Sequence, residues 1–410
     1  MRIREATLIQ GIREKTGKVR RNTIKRNILF FAVGMFFADM AWGIGYPYLS
    51  VYMKLIGGSM LFVGLLSVVY NLTSTVFQYP FGYLSDKSGK RKPFIILGVL
   101  SSGTTYCFAA LITTPILLLA LRAFQGTIGA SLAPARSALI SELSPRVGSM
   151  FGFFNFVENM GFMAGNFLGG YAVKSFGIKS AFIITSIISL VSLVFLLQIR
   201  ERGRPRGNLN GIIIVKEGRE SEKVELRGLA FKKLMAGKLG IFYISVLLAM
   251  MASGEVYSTV SVYFQEKFGE EYVGFLFGID SLAAAIGSLF VGRLIDKYGE
   301  KVFYRLAIIG YILTFLGYTF ANSVFLMSLV SILSGIKWAM LTSASSTYVA
   351  KRVPLSERGQ GMGLLSTMMT LGWVIGPLLG GFLADKFGFT MMLYSTVPVL
   401  LLGFILTLKF

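Results

Sequence analysis

Apolar runs long enough to cross a bilayer recur along the chain from residue 28 to the C-terminus, broken by short polar segments. A helix needs about 20 apolar residues to span the hydrocarbon core, so each run predicts one membrane crossing. Twelve spans are expected, at 28–53, 60–84, 94–113, 115–140, 148–173, 178–199, 239–265, 272–294, 302–321, 323–349, 360–384 and 388–408. One long polar stretch, 200–238, divides six spans from six. The pattern predicts an all-α integral membrane protein of twelve transmembrane helices in two six-helix bundles, 28–199 and 239–410. A basic N-terminal segment, 1–27, precedes them, and 200–238 serves as the linker. At the end of that linker, LRGLAFKKLMAGK spaces apolar residues as a helix would, with bases between, which suits a helix lying on a lipid surface. The first apolar run follows a basic start too long for a signal-peptide n-region and lacks a small-residue cleavage site, so it reads as a retained span.

Composition agrees: 54% of the 410 residues are hydrophobic and 15% charged, against roughly a quarter charged in soluble domains. The net charge of +21 would suit a nucleic-acid binder, but the bases sit in alternate loops. Nine precede residue 28, eleven lie in 200–238 and four crowd into GYLSDKSGKRKP at 82–93, while the opposite loops hold only Lys54, Lys174, Lys179, Lys267 and Lys386. By the positive-inside rule both termini are expected in the cytoplasm, with the chain multi-pass in the cell membrane and no nucleic acid as partner. Cys107 stands alone in an apolar run and is expected to be a small core residue. There is no histidine, so a transported proton has to ride on a carboxylate or a lysine. No histidine, one cysteine and no clustered carboxylates also argue against an enzyme, a metal site or a bound cofactor.

The halves repeat. GYLSDKSGKR (82–91) returns as GRLIDKYGEK (292–301), SVYM (50–53) as SVYF (261–264), and GFMAGNFLGGYAVKSFG (161–177) as GWVIGPLLGGFLADKFG (372–388). Parallel six-span repeats place a substrate pathway at the interface between them. The basic motif between spans 2 and 3, with its shortened echo between spans 8 and 9, resembles the signature of the major facilitator superfamily. The resemblance covers residues 28–408 and implies alternating access, a single acting chain and a small-molecule substrate. It further implies that the motif is a latch. Asp86 would cap a helix of the second half, Lys90 and Arg91 would make charge-assisted contacts, and Gly82 and Gly89 would allow close approach and a sharp turn. Arg293, Asp296 and Lys301 would form the weaker counterpart.

An ionisable residue within a span is costly and points to function. Asp39, Arg122, Glu158, Glu255, Asp280 and Lys337 fit that description. The family resemblance assigns spans 1, 4, 7 and 10 to a central cavity, and these carry Asp39, Arg122, Glu255 and Lys337. Trp42 and Tyr46 share the helical face of Asp39, a surface suited to a lipophilic cation. FADMAWGIGYPYL and RAFQGTIGA resemble spans 1 and 4 of drug-efflux members, which implies that Arg122 governs the carboxylates of Asp39 and Glu158, with Gln125 beside it. A Glu255–Lys337 pair is expected between spans 7 and 10, with Tyr257 and Trp338 as neighbours; Asp280, nearer the far end of span 8, is equally open to a structural or a functional role. Gly161, Gly165, Gly376, Pro377 and Gly380 are expected to pack helices closely. The efflux-type G-x-x-x-G-P pattern falls in span 11, while span 5 has Asn166 at the proline position.

The reading that follows is a proton-driven exporter of lipophilic or cationic small molecules. An importer or facilitator of a sugar, organic anion or amino acid is the alternative, and a non-transporting sensor or binding protein is the alternative of another class.

Overall fold

The computed structural model describes the backbone of residues 2–143, 147–201, 235–353 and 358–410, and side chains within them except 2–22, 147–149 and 358–359. The expected surface helix, most of the linker and the side chains of the N-terminal segment up to residue 22 lie outside the described residues. All twelve expected spans are helical. Spans 1 to 3 are Arg2–Leu55, Met60–Ser88 and Lys92–Ala109; span 4 runs in two pieces, Pro115–Gly129 and Leu132–Leu143. Spans 5 and 6 are Val147–Phe176 and Ile178–Leu196. Span 7 comprises Gly237–Tyr257 and Val260–Phe268, and spans 8 to 10 are Glu270–Tyr298, Glu300–Phe320 and Val324–Arg352. Spans 11 and 12 form Arg358–Thr407, broken at Gly388, where φ is 80°.

Local chemistry sets these ends. Ser59 and Ser323 cap spans 2 and 10 by accepting the backbone N–H of Phe62 and Leu326. Gly89 and Gly299, equivalent in the repeat, both turn the chain with positive φ, 65° and 90°. In lipid the hydrophobic effect does not separate helix from helix, so hydroxyls and small residues hold the bundles together. Ser192 on span 6 donates to the Gly34 carbonyl on span 1 at 2.7 Å, and Ser245 on span 7 donates to Gly403 on span 12 at 2.9 Å. The repeat maps Gly34 onto Ser245 and Ser192 onto Gly403. The same tie is kept in both halves with donor and acceptor exchanged.

The bundles meet at the face opposite the basic motif. The Tyr48 hydroxyl donates to the Glu270 carbonyl and accepts the Gly274 N–H at the start of span 8, at 3.2 and 3.1 Å. The Asp385 carboxylate, at the end of span 11, accepts the N–H groups of Met60 and Leu61 at 2.6 and 2.8 Å and so caps span 2. Spans 2 and 11 cross where a Cβ on Gly64 would overlap the Pro377 carbonyl, and spans 5 and 8 cross where one on Gly274 would overlap that of Asn166.

Among the described residues at the basic face the expected latch is not engaged. The Asp86 side chain is 68% exposed and pairs within its own bundle with Arg91, at 2.6 Å. Arg91 also holds Glu142 at 3.2 Å, and its N–H binds Glu201 at 2.7 Å. The Lys90 carbonyl accepts the Ser85 hydroxyl. The bundles are joined at the opposite face, and the motif has folded back on the first one. A Cβ on Gly82 would stand 3.5 Å from Pro134, an ordinary contact, so Gly82 is not needed for close approach. In the second half Arg293 and Asp296 are exposed and Lys301 is half-buried. The charge cluster there is instead Glu300, buried, with Lys351 at 2.9 Å and Arg352 at 2.8 Å. Cys107 is exposed beside Phe108 and Leu111 on the apolar outer surface, contrary to expectation. Facing lipid, a hydrophobic run does not reveal which of its sides is core.

Candidate functional site

Between the bundles lies a cavity of about 570 Å³. Its aromatic lining is Trp42 and Tyr46 of span 1, Tyr257 of span 7, Trp338 of span 10 and Trp373 of span 11, with Phe162 and Phe277. The chain has three tryptophans, and all three are here. Polar groups come from Asn155, Asn159 and Asn166 along span 5, with Ser281, Thr342 and Ser343 opposite. The carboxylates on its walls are Glu158 from the first bundle and Asp280 from the second; among the described lining residues there is no base.

Glu158 has a base behind it. That base is Arg136, whose guanidinium lies 2.9 Å from Glu158 and 3.6 Å from Asp39. Asp39 is 7% exposed, packed where Gly161 brings span 5 against span 1, and its Oδ2 has no hydrogen-bond partner. A second chamber of about 360 Å³ reaches Arg136 and Glu158 from between spans 2, 4 and 5.

Arg122 does not take the part expected of it. It donates to Gln125, and its guanidinium sits over Tyr70 at 4.2 Å, near Trp42 and Tyr46 at 5.5 and 5.9 Å. Gln125 in turn donates to Ser102. Fourteen positions separate Arg122 from Arg136, about 21 Å along a helix, so the two lie at different depths. Asp39 is level with Arg136, while Trp42 and Tyr46, further along span 1, are level with Arg122. Arg136 was the residue missed. Its signal was plain, since LAPARSALI sets one arginine in an apolar stretch.

In the second bundle the Glu255–Lys337 pair does not form. Glu255 accepts the Ser395 hydroxyl at 2.6 Å, while Lys337 donates to the Tyr257 hydroxyl at 2.8 Å and lies 3.8 Å from the Tyr311 ring centre. Residues two apart on a helix point to different sides, so a lysine that meets Tyr257 cannot also meet Glu255. Tyr257 is hydrogen-bonded to the Ser334 hydroxyl. Asp280, open to either role from the sequence, stands on the cavity wall, and its backbone carbonyl lies against Gly335, two residues before Lys337. Asp39, Arg122, Glu255 and Lys337 are 7, 3, 2 and 1% exposed, one layer behind the cavity surface.

The glycines act through the backbone. Added Cβ atoms on Gly161 and Gly165 would strike the Phe36 and Met40 carbonyls, and on Gly376 and Gly380 those of Met251 and Glu255. Asn166, at the missing proline, donates to Ser281 at 3.2 Å across the bundle interface.

The model of the Major Facilitator Superfamily matches residues 31–272 and 242–410. An uncharacterized MFS-type transporter of Methanocaldococcus jannaschii is 25% identical over 397 residues, covering 94% of this chain and 98% of that one. Multidrug resistance protein MdtG of Dickeya zeae is 25% identical, covering 92% and 93%. Among solved structures, the nucleoside transporter NupG superposes with a TM-score of 0.77 at 16% identity, covering 94% of this chain and 99% of that one. Twelve spans, an internal repeat, a cavity between two bundles and a family model matched along nearly the whole chain lead to one conclusion: this chain belongs to the major facilitator superfamily and is a multi-pass membrane transporter.

Proposed function

We propose that the protein is a proton-driven exporter of lipophilic organic cations. The observation that carries this reading is the cavity wall itself, with two carboxylates, three tryptophans and, among the described residues, no base. A planar cation gains from the aromatic faces and from either acid once water is excluded. The likeness to the multidrug resistance protein MdtG supports the same substrate class. In this reading the basic loops and both termini are cytoplasmic, and the cavity faces the cytoplasm.

Glu158 and Asp39 share Arg136, so their charges are linked. A cation arriving at Glu158 draws that carboxylate from the guanidinium and leaves Arg136 to Asp39. When the cavity faces outward, a proton entering on Glu158 or Asp39 removes the negative charge that held the cation, and the cation leaves. Purified protein in proteoliposomes with an imposed pH gradient tests this. Ethidium or tetraphenylphosphonium should accumulate against its gradient in wild type, and Glu158→Gln should abolish the accumulation. Accumulation that ignores the pH gradient would sink the reading.

A second reading has its own observation. Asn155, Asn159 and Asn166 form an amide stripe on span 5, opposite the hydroxyls of Ser281, Thr342 and Ser343, and such a surface suits a neutral polyhydroxylated molecule. Competition decides between them. Sugars that displace bound tetraphenylphosphonium, and are themselves transported, would favour the second reading.

A further inference from the structure

Each bundle sets a base near its cavity acid, and the two bases differ in one chemical respect. Arg136, behind Glu158, keeps its proton under all conditions found in a protein. Lys337, near Asp280, is a primary amine that can give its proton up. Its Nζ donates to the Tyr257 oxygen, and the Tyr257 hydroxyl is paired in turn with that of Ser334. The ammonium thus reaches the cavity surface through the hydroxyl of Tyr257. Both Asp280 and Tyr257 reach the cavity surface, while Lys337 is 1% exposed. Asp280 also keeps one oxygen, Oδ1, buried and without a hydrogen-bond partner.

We propose that Lys337 is a proton carrier of the second bundle: a substrate cation that binds Asp280 replaces Lys337 as its counter-ion, and the ammonium then releases one proton through the Tyr257 hydroxyl to water in the cavity. The proposal rests on the cation-efflux reading and adds a second proton site to it. The exchange balances. Lys337 goes from ammonium to amine, one proton leaves to the side the cavity faces, and one positive charge arrives at Asp280. With the cavity turned outward, a proton from that side returns Lys337 to its ammonium form, which takes Asp280 back and expels the cation.

The surroundings favour the exchange. An ammonium that loses its counter-ion in an apolar interior is costly, and losing a proton relieves that cost. The titratable groups about Lys337 are Tyr257 on span 7, Asp280 on span 8, and Tyr311 and Tyr318 on span 9. Glu255, also on span 7, is engaged with Ser395 on span 12. Asp280 is thus the acid that balances Lys337.

Tetraphenylphosphonium carries no dissociable proton, so any proton released on its binding comes from the protein. Binding to full-length purified protein can be followed by quenching of tryptophan emission, and proton release by a pH dye in weakly buffered detergent. Wild type should release about one proton more per bound cation than Lys337→Arg, which keeps the positive charge but not the means to discharge it. Tyr257→Phe should release the same number several-fold more slowly. Equal release from wild type and Lys337→Arg overturns the proposal while the efflux reading stands. If Lys337→Arg does not fold, an unchanged release rate in Tyr257→Phe overturns it instead. Failure of wild type to bind any lipophilic cation overturns both.

Discussion

Arg136 holds two carboxylates with one guanidinium, and this sharing makes it the most sensitive position on the first wall. Removing one member of a buried ion cluster costs about 3–5 kcal/mol because the remaining charges are left uncompensated. Glu158 is a third exposed, which places Arg136→Gln at the lower end of that range. The variant should melt several degrees below wild type and lose most pH-driven transport in proteoliposomes. Arg136→Lys should recover stability better than transport, since an ammonium lacks the fork that meets two acids at once. Arg122→Lys should leave that acid pair intact and weaken the aromatic wall, raising the KM for an organic cation more than it lowers kcat. The ionisable residues within the spans were legible from residue types alone. Their partners were not, because partnership depends on depth and on helical face. Sequence alone sets Arg122 over the carboxylates of Asp39 and Glu158, a place that Arg136 takes, and matches Glu255 to Lys337, which meets Tyr257 instead.

The helices themselves were legible almost throughout, since a membrane span announces itself by length and apolar content. What the hydropathy pattern could not reveal was which side of a helix meets lipid, as Cys107 illustrates. The motif between spans 2 and 3 was readable as a loop, and Gly89 as its turn, but the conformational state was not. Spans 2 and 11 are joined at the face away from that motif by the Asp385 cap and by the bare backbone at Gly64. Gly64→Val should force that junction apart and shift the protein toward the opposite-facing state. Spin labels at the ends of spans 2 and 11 on that face should then report a longer distance in the variant. Asp385→Ala should act in the same direction but more weakly, since losing a helix cap costs about 0.5–2 kcal/mol.

Across the whole molecule the repeat preserves geometry while exchanging chemistry. The Gly34–Ser192 tie returns as Ser245–Gly403 with its donor on the other helix. Arg91 with Glu142 returns near the same place as Glu300 with Arg352, the signs reversed. What persists is the contact, not the residue. Glu300→Ala should therefore loosen the second bundle alone, by about 1–3 kcal/mol for losing charge-assisted hydrogen bonds at a buried carboxylate. Hydrogen exchange should rise in spans 9 and 10 and stay unchanged in spans 3 and 4. The crossings at Gly64 and Gly274 carry a further implication for how such a transporter diversifies. There the halves touch through main-chain oxygens and glycine, with the Tyr48 hydroxyl joining them at Gly274. The tryptophans and acids of the cavity can be exchanged over generations without disturbing the pivot on which the machine turns, so its choice of cargo is free to drift while its stroke is inherited unchanged.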